Sequence, residues 1–320
     1  NNNFMKINVA LFGLGRIGAM HGQNIKSNSK FNLKYVYDIN QKITKYYSKK
    51  FNSINLKEPN KAFIDKEIDV IFISSTTSTH ISLILKAAKH KKIIFCEKPL
   101  DLNINKVVNC RKIIKKLKSK IQLGFNRRYD PGHYSLKKSL KQGKIGKLEK
   151  IIITSRDPSP PSIKYLKNSG GIFRDMTIHD FDMARFYLGK DEIKEIFATA
   201  SNITNKYFNK INDFELATCV LKSKSGVICM INNSRHNSYG YDQRIEVFGS
   251  KGVLVSDNKK KYNFFIDRYK SAYKLQLQDL FLLAKKNKKP RASFEEGEKA
   301  LVLANAAYKS LNSKKFIKIV

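Results

Sequence analysis

One stretch of this 320-residue sequence places an imidazole between two carboxylates at helical spacing. Asp175, His179 and Asp182 fall at positions i, i+4 and i+7 of a segment with helical periodicity that ends at Gly189. Residues at these intervals share one helical face, so the two carboxylates are expected to flank the imidazole. An imidazole held in this way can accept a proton near neutral pH. The pattern indicates general acid–base chemistry.

Two other interpretations fit the same spacing, namely a charged surface cluster and a metal site built from Asp and His. No matching His or Cys cluster occurs elsewhere in the sequence, so we predict no metal. Cys96, Cys110, Cys219 and Cys229 lack the Cys-x-x-Cys spacing of a zinc or redox site, and no leader-like segment precedes the first strand. These features favour a reducing cytoplasm.

A glycine-rich turn follows the first predicted strand, Ile7–Phe12, at the point where a helix is predicted to begin. The residues of this turn that we assign to a cofactor are Gly13, Gly15, Arg16, Ile17 and Gly18. Glycines allow the backbone to approach a pyrophosphate closely, and the helix N-terminus supplies N–H groups and partial positive charge. The turn therefore predicts a dinucleotide site; a structural turn without a ligand is the alternative.

The second predicted strand, 33–37, ends in Asp38, which lies 20 residues beyond Gly18. This is the distance expected for the carboxylate that binds the adenosine ribose hydroxyls. A carboxylate there repels a 2′-phosphate, so the predicted cofactor is NAD and not NADP. The alternative role of Asp38 is to cap the helix that follows.

The next two strands end in further polar groups at the same edge. After Val70–Ile73 comes a hydroxyl-rich turn that opens a helix at about Ser78, and its candidate cofactor contacts are Ser75, Thr76, Thr77 and His80. Helix capping explains one or two of these hydroxyls equally well. After the strand at 93–95 stands Glu97-Lys98-Pro99, on the rim where the nicotinamide is expected. An X-Pro bond can be cis at modest cost, and an ordinary surface lysine is the alternative for Lys98.

The elements that position these residues differ along the chain. Up to about residue 123, short apolar runs alternate with helical patterns, which predicts a Rossmann-type α/β domain with a doubly wound parallel sheet over residues 1–124. Beyond it, the sequence predicts an α+β domain over 125–320 with a large, mostly antiparallel open sheet. Its predicted strands are 147–156, 193–201, 214–221, 226–232 and 244–247, and its longer helices are 131–141, 273–286 and 294–310.

The charge is strongly basic, with 62 Lys and Arg against 26 Asp and Glu and a formal net charge of +36. Such a charge raises the question of a nucleic-acid or membrane partner. The lysines are spread over every segment, however, and the longest apolar runs fall far short of the roughly 20 residues that span a bilayer. We therefore predict no nucleic acid and no membrane as partners.

Three separated motifs resemble the Gfo/Idh/MocA oxidoreductases: the glycine turn at 13–18, Glu97-Lys98-Pro99, and Asp175 with His179. Segments 124–130, 154–158, 170–185 and 239–244 are similar to the members that oxidise inositol. The resemblance implies NAD-dependent oxidation of a ring hydroxyl of a polyol, with myo-inositol as the leading substrate. Scyllo-inositol, another cyclitol or an aldose is the alternative substrate, and a non-catalytic NAD-binding regulator is the alternative of another class.

The resemblance also implies roles for individual residues. Lys98, Asp175 and His179 would form the catalytic group, and all three would contact the substrate. The other candidate polyol contacts are Arg127, Asp157, Asp182, Tyr239 and Tyr241. A homotetramer that associates through the open sheets is implied as well.

Overall fold

The structure is a computed structural model that describes residues 6–319. It divides into two compact units, one formed by residues 6–125 with Tyr273–Glu298 and the other by Asn126–Ala272 with residues 299–319. Residues 1–5 and 320, which the sequence assigns to the two predicted domains, lie outside the described residues.

The first unit contains a six-stranded parallel sheet with the strand order β3-β2-β1-β4-β5-β6. The strands are β1 (Ile7–Phe12), β2 (Phe31–Tyr37), β3 (Ile54–Asn55), β4 (Val70–Ile73), β5 (Ile93–Cys96) and β6 (Ile121–Leu123). The helices between them are α1 (Arg16–Lys26), α2 (Gln41–Phe51), α3 (Asn60–Ile64), α4 (His80–Lys89) and α5 (Ile104–Lys116). All four residues of β4 are buried, as expected for a parallel strand that is covered on both faces.

This sheet confirms the predicted Rossmann fold. The helix predicted from about residue 78 starts as a 3-10 turn over Thr77–Thr79 and continues as α4. The edge strand β3 was not predicted, because two residues are too few to show an alternating pattern.

The second unit contains a seven-stranded sheet with the order β12-β11-β7-β10-β9-β8-β13. Its strands are β7 (Leu148–Arg156), β8 (Ile193–Ser201), β9 (Leu216–Ser223), β10 (Ile228–Ser234), β11 (Asp242–Gly249), β12 (Gly252–Ser256) and β13 (Ile317–Lys318). The helices up to β12 are α6 (Pro131–Lys141), α7 (Ile163–Leu166), α8 (Ile172–Asp175), α9 (Thr177–Leu188) and α10 (Tyr207–Lys210). Among the strand pairs of this sheet within residues 6–319, only β7 and β10 are parallel, which confirms the mostly antiparallel sheet.

Alternation along the strands shows which face of this sheet is covered. In β11, Gln243, Ile245 and Val247 are buried, whereas Arg244 and Phe248, on the opposite face, are exposed. Ile245 and Val247 belong to the apolar core of this unit, and α9 packs against β7 and β10. One face of the sheet therefore carries helices, and the other is open within this unit.

Three helices lie between β12 and β13: α11 (Phe265–Arg268), α12 (Lys270–Lys286) and α13 (Phe294–Ser313). Most of α12 groups with the first unit, although the sequence places it in the second domain. Its Leu277, Leu280 and Phe281 join the apolar core around β1 and β2. The chain thus returns to the first unit at α12. The order of strands and helices in the sequence cannot show this return, because the return depends on contacts between residues that are far apart in the sequence. Among residues 6–319, no helix is both long and apolar enough to cross a bilayer.

Candidate active site

The glycine turn after β1 is held tightly by the protein itself. Gly13 donates its N–H to Tyr37 O at 2.8 Å and has a φ of +92°. A Cβ on Gly13 would lie 2.4 Å from Ser75 N, and one on Gly18 would lie 2.0 Å from Gly13 O. Packing and backbone conformation therefore require glycine at position 13, and packing alone requires it at position 18.

Gly15 lies in the same turn but has no such constraint. Its φ of −64° and ψ of −172° are open to any residue, and a Cβ there would meet nothing within 4 Å. Gly15 is also the N-cap of α1 and, as a glycine, has no side chain that could cap the helix. A cleft of about 390 Å³ adjoins it, lined by Leu14, Gly15, Arg16, Lys42, Ile43, Tyr46 and Tyr47. The turn thus fits a pyrophosphate, which needs both room and N–H donors.

Asp38 is fixed beside this turn. Its Oδ2 accepts a hydrogen bond from Leu14 N at 2.9 Å, and its Oδ1 accepts one from Asn40 N at 2.9 Å. The helix cap of α2 is Asn40, whose side chain accepts bonds from Lys42 N and Ile43 N. The capping role considered for Asp38 therefore belongs to Asn40, and Asp38 joins the end of β2 to the glycine turn.

The hydroxyl-rich turn after β4 lies at the same edge of the sheet. Ser75 Oγ and Thr79 Oγ1 are 2.7 Å apart, whereas Thr76 is exposed and Thr77 is half-buried. His80 is buried, with Nδ1 2.8 Å from Pro99 O and Nε2 3.0 Å from Ser75 O. Burial lowers the pKa of His80, and its ring lies between the turn after β4 and the segment after β5, with one nitrogen close to a carbonyl oxygen of each.

Glu97 and Lys98 follow β5, and a histidine from α1 supports them. His21 Nε2 lies 2.7 Å from Glu97 Oε1, and Glu97 Oε2 accepts a bond from Lys98 N at 3.2 Å. The His21 ring is itself buried against aromatic rings that include Phe72. The Lys98–Pro99 peptide bond is cis. The sequence reasoning missed His21, because a single histidine on an apolar helix face carries no recognisable pattern.

The parallel sheet brings the predicted cofactor residues of the first unit to one edge. They follow β1, β2, β4 and β5, and the carboxyl ends of parallel strands meet at the same side. Each contact of these residues with a cofactor stays a prediction.

In the second unit, the predicted single helix is divided, and this corrects one expectation. Asp175 ends α8, whereas His179 and Asp182 belong to α9, with Met176 between the two helices. The hydrogen-bond register changes here, because His179 N bonds to Met176 O, three residues back. Asp175 and His179 therefore belong to two successive helices rather than to one.

Asp175 is held by two side chains from other elements. Tyr165 donates its hydroxyl to Oδ1 at 2.6 Å, and Arg235 Nη1 donates to Oδ2 at 3.2 Å. Arg235 is 0% exposed and also donates from Nη2 to Asp213 Oδ2 at 3.2 Å. Neither Tyr165 nor Arg235 was predicted from the sequence, where 60 positions separate Arg235 from Asp175.

Two predicted polyol contacts, Arg127 and Asp182, lie in buried ion pairs. Arg127 Nη1 donates to Asp180 Oδ1 at 2.5 Å, and Asp180 is 0% exposed. Arg128 donates two hydrogen bonds to Asp182, from Nε to Oδ2 at 2.8 Å and from Nη2 to Oδ1 at 2.7 Å. These carboxylates and guanidinium groups hold the second unit together, whatever else they contact. Asp180 and Arg128 were not singled out, although each adjoins a residue that was.

The remaining candidates differ in exposure. Tyr239 is 69% exposed, whereas Tyr241 is buried and its burial raises the pKa of its hydroxyl. Asp157 is half-buried directly after β7, and its N–H donates to Ser234 O at 2.9 Å. Among the described residues, no group of three or more His, Cys, Asp or Glu side chains could hold a metal ion.

Comparisons with known proteins give the same picture for the whole chain. Residues 7–125 match the oxidoreductase family with an NAD-binding Rossmann fold, and residues 133–255 match the Gfo/Idh/MocA C-terminal domain. The chain is 39% identical to a myo-inositol 2-dehydrogenase of Thermotoga maritima, over 97% of this chain and 98% of the relative. It is 38% identical to an inositol 2-dehydrogenase of Rhizobium meliloti, over 98% of this chain and 100% of the relative.

A solved structure agrees with these relatives. The crystal structure of a myo-inositol dehydrogenase from Corynebacterium glutamicum has a TM-score of 0.94 to this chain and is 38% identical, with 99% of each chain covered. These similarities agree with the glycine turn, where the backbone of Gly15 is open to a bound group. They identify the class of protein and its cofactor. The chain belongs to the Gfo/Idh/MocA family and is an NAD-binding oxidoreductase of the inositol 2-dehydrogenase type.

Proposed function

We propose that this enzyme oxidises one ring hydroxyl of myo-inositol to the ketone, which gives scyllo-inosose. The observation that carries the proposal is the carboxylate of Asp175, four residues before His179 and bound by Tyr165 and Arg235. These two donors hold the carboxylate in one orientation, and a carboxylate near an imidazole can stabilise its protonated form. The named functions of the Thermotoga maritima and Rhizobium meliloti relatives support the choice of substrate.

Each residue of the catalytic group has a separate task in this proposal. His179 removes the proton of the hydroxyl as its carbon becomes a carbonyl. Asp175 orients the imidazole and stabilises the cation that forms. Lys98 donates a hydrogen bond to the reacting oxygen. Bound NAD supplies the acceptor for the hydride of the ring carbon.

The remaining substrate residues fall into two groups. Asp157, Tyr239 and Tyr241 are proposed to contact the polyol directly. Arg127 and Asp182 are already engaged in ion pairs, so we propose that they contribute mainly by holding the elements that carry His179. We further propose a homotetramer that works in a reducing cytoplasm, where the four free thiols would persist.

The proposal is tested by steady-state rates across a polyol panel. Myo-inositol, scyllo-inositol, another cyclitol and an aldose are each offered with NAD and with NADP, and formation of reduced cofactor is followed. We expect the highest kcat/KM for myo-inositol with NAD. A higher value for another polyol would reassign the substrate, and NAD binding without turnover on any polyol would favour the non-catalytic regulator.

A further inference from the structure

Three elements of the second unit meet at the carboxylate of Asp175. The carboxylate ends α8, Tyr165 lies in α7, and Arg235 directly follows β10. Tyr165 Oη is 2.6 Å from Oδ1, and Arg235 Nη1 is 3.2 Å from Oδ2. Each carboxylate oxygen thus has its own donor, which leaves Asp175 little freedom to rotate.

Arg235 also fixes the start of α8. Its second nitrogen, Nη2, lies 3.2 Å from Asp213 Oδ2, and Asp213 Oδ1 accepts a bond from Ile172 N at 2.7 Å. Ile172 is the first residue of α8 and Asp175 is its last. One fully buried guanidinium therefore ties both ends of this short helix, and its two carboxylate partners compensate for its desolvation.

Tyr165 is suited to be a permanent donor. The charge of Asp175 raises the pKa of its phenol well above the usual 10.0, although the Tyr165 side chain is 48% exposed. The hydroxyl therefore keeps its proton throughout the pH range in which a histidine titrates. The other charged groups that act on this cluster are Asp157, which affects both Tyr165 and Arg235, and Asp213.

We propose that Tyr165 and Arg235 are positioning residues that orient Asp175 and moderate the negative charge it presents to His179. This inference rests on the proposed function, because Tyr165 and Arg235 would affect the reaction only through Asp175 and the proposed base, His179. A carboxylate shared between a phenol and a guanidinium stabilises an imidazolium less than an unshared carboxylate does. The base is thereby kept neutral, and able to accept a proton, at lower pH.

The test is the titration of the His179 imidazole, followed by NMR on protein labelled at histidine carbons, with His179→Gln used for assignment. In Tyr165→Phe, Asp175 loses one donor, so we expect the pKa of His179 to rise by about half a pH unit or more. Tyr207→Phe removes a hydroxyl elsewhere in the second unit and serves as the matched control. Arg235→Lys keeps the charge but cannot reach both carboxylates as Arg does, and it is expected to lower kcat more than to shift the pKa.

An unchanged His179 titration in Tyr165→Phe would overturn the inference. The pH dependence of kcat/KM then separates this result from a failure of the proposed function. If the pKa of His179 measured by NMR shifts and the acidic limb of kcat/KM shifts with it, then both the positioning role and the assignment of His179 as the base hold. If the NMR pKa shifts while the limb stays in place, the positioning holds and His179 is not the base.

Discussion

Gly13 and Gly15 lie in one turn but are glycine for different reasons. At Gly13 a side chain would collide with Ser75 N at 2.4 Å, and the φ of +92° disfavours any Cβ. At Gly15 neither obstacle exists. The fold itself requires the first glycine, whereas a Cβ at the second would meet nothing within 4 Å. We therefore propose that Gly15 is a glycine because of the cofactor.

Gly15→Ala separates these two requirements. The added methyl group is expected to weaken NAD binding about tenfold or more, because it occupies the space into which the pyrophosphate approaches. The free energy of unfolding should change by less than about 1 kcal/mol. Cofactor titration and denaturant unfolding measure the two effects. Gly13→Ala is the matched comparison and should lose stability; unchanged NAD affinity in Gly15→Ala would argue against a pyrophosphate at this turn.

His179→Ala tests the base directly. A positioned base typically contributes about 10²–10⁴ in rate, so turnover should fall by that factor. The affinity for NAD should stay unchanged, since His179 is not among the residues that we assign to the cofactor. Turnover is measured at saturating polyol and NAD, and affinity by cofactor titration. A variant with the turnover of the native enzyme would remove His179 from the mechanism.

Local pattern explains which site residues the sequence could reveal. Gly13–Gly18, Asp38 and Lys98 each follow an apolar strand, so their position at the edge of a parallel sheet can be predicted without a structure. His21 and Glu97 are 76 positions apart, and their bond depends on how α1 packs. Partners that meet only through tertiary packing leave no periodic signal in the sequence.

At the level of elements, buried ion pairs join the helices and strands around His179. Arg127 lies in a 3-10 turn before α6, and Asp180 lies in α9. Asp180 also accepts bonds from Ser155 in β7, at 2.6 Å, and from Asn233 in β10, at 2.7 Å. One carboxylate thus fastens α9 to two neighbouring strands of the sheet. The sequence predicted a continuous helix here, because spacing alone cannot show the change of register at Met176.

Arg127→Met distinguishes a structural from a polyol-binding role. Removing the guanidinium leaves Asp180 buried without its cation, so we expect a loss of about 3–5 kcal/mol in the free energy of unfolding. The double variant with Asp180→Asn buries neither charge and should be less destabilised than the sum of the single variants. Denaturant unfolding of the four proteins gives this coupling. Additive effects, with a large rise in KM for the polyol, would instead assign Arg127 to substrate binding.

At the level of the whole chain, the open face of the large sheet is the main unexplained surface. The strand register aligns one row of outward positions across six strands: Val255, Glu246, Ile152, Met230, Val220 and Phe197. All but Glu246 are apolar, whereas the opposite face carries the helices and the core. The chain has a net charge of +36, so charged residues are abundant enough to cover a surface that faces solvent. An apolar row on such a chain therefore favours an interface with another copy.

Val255→Lys tests whether this face forms the tetramer. Val255 is 54% exposed at the edge of the row, so a lysine there is compatible with the single chain but would be desolvated between two sheets. In sedimentation velocity, the native enzyme is expected as a tetramer and the variant as a smaller species with unchanged NAD affinity. Ile203→Lys, at a position that is 72% exposed outside the strands, is the control and should remain tetrameric. A native monomer, or a tetramer that survives Val255→Lys, would show that the open sheets are not the contact.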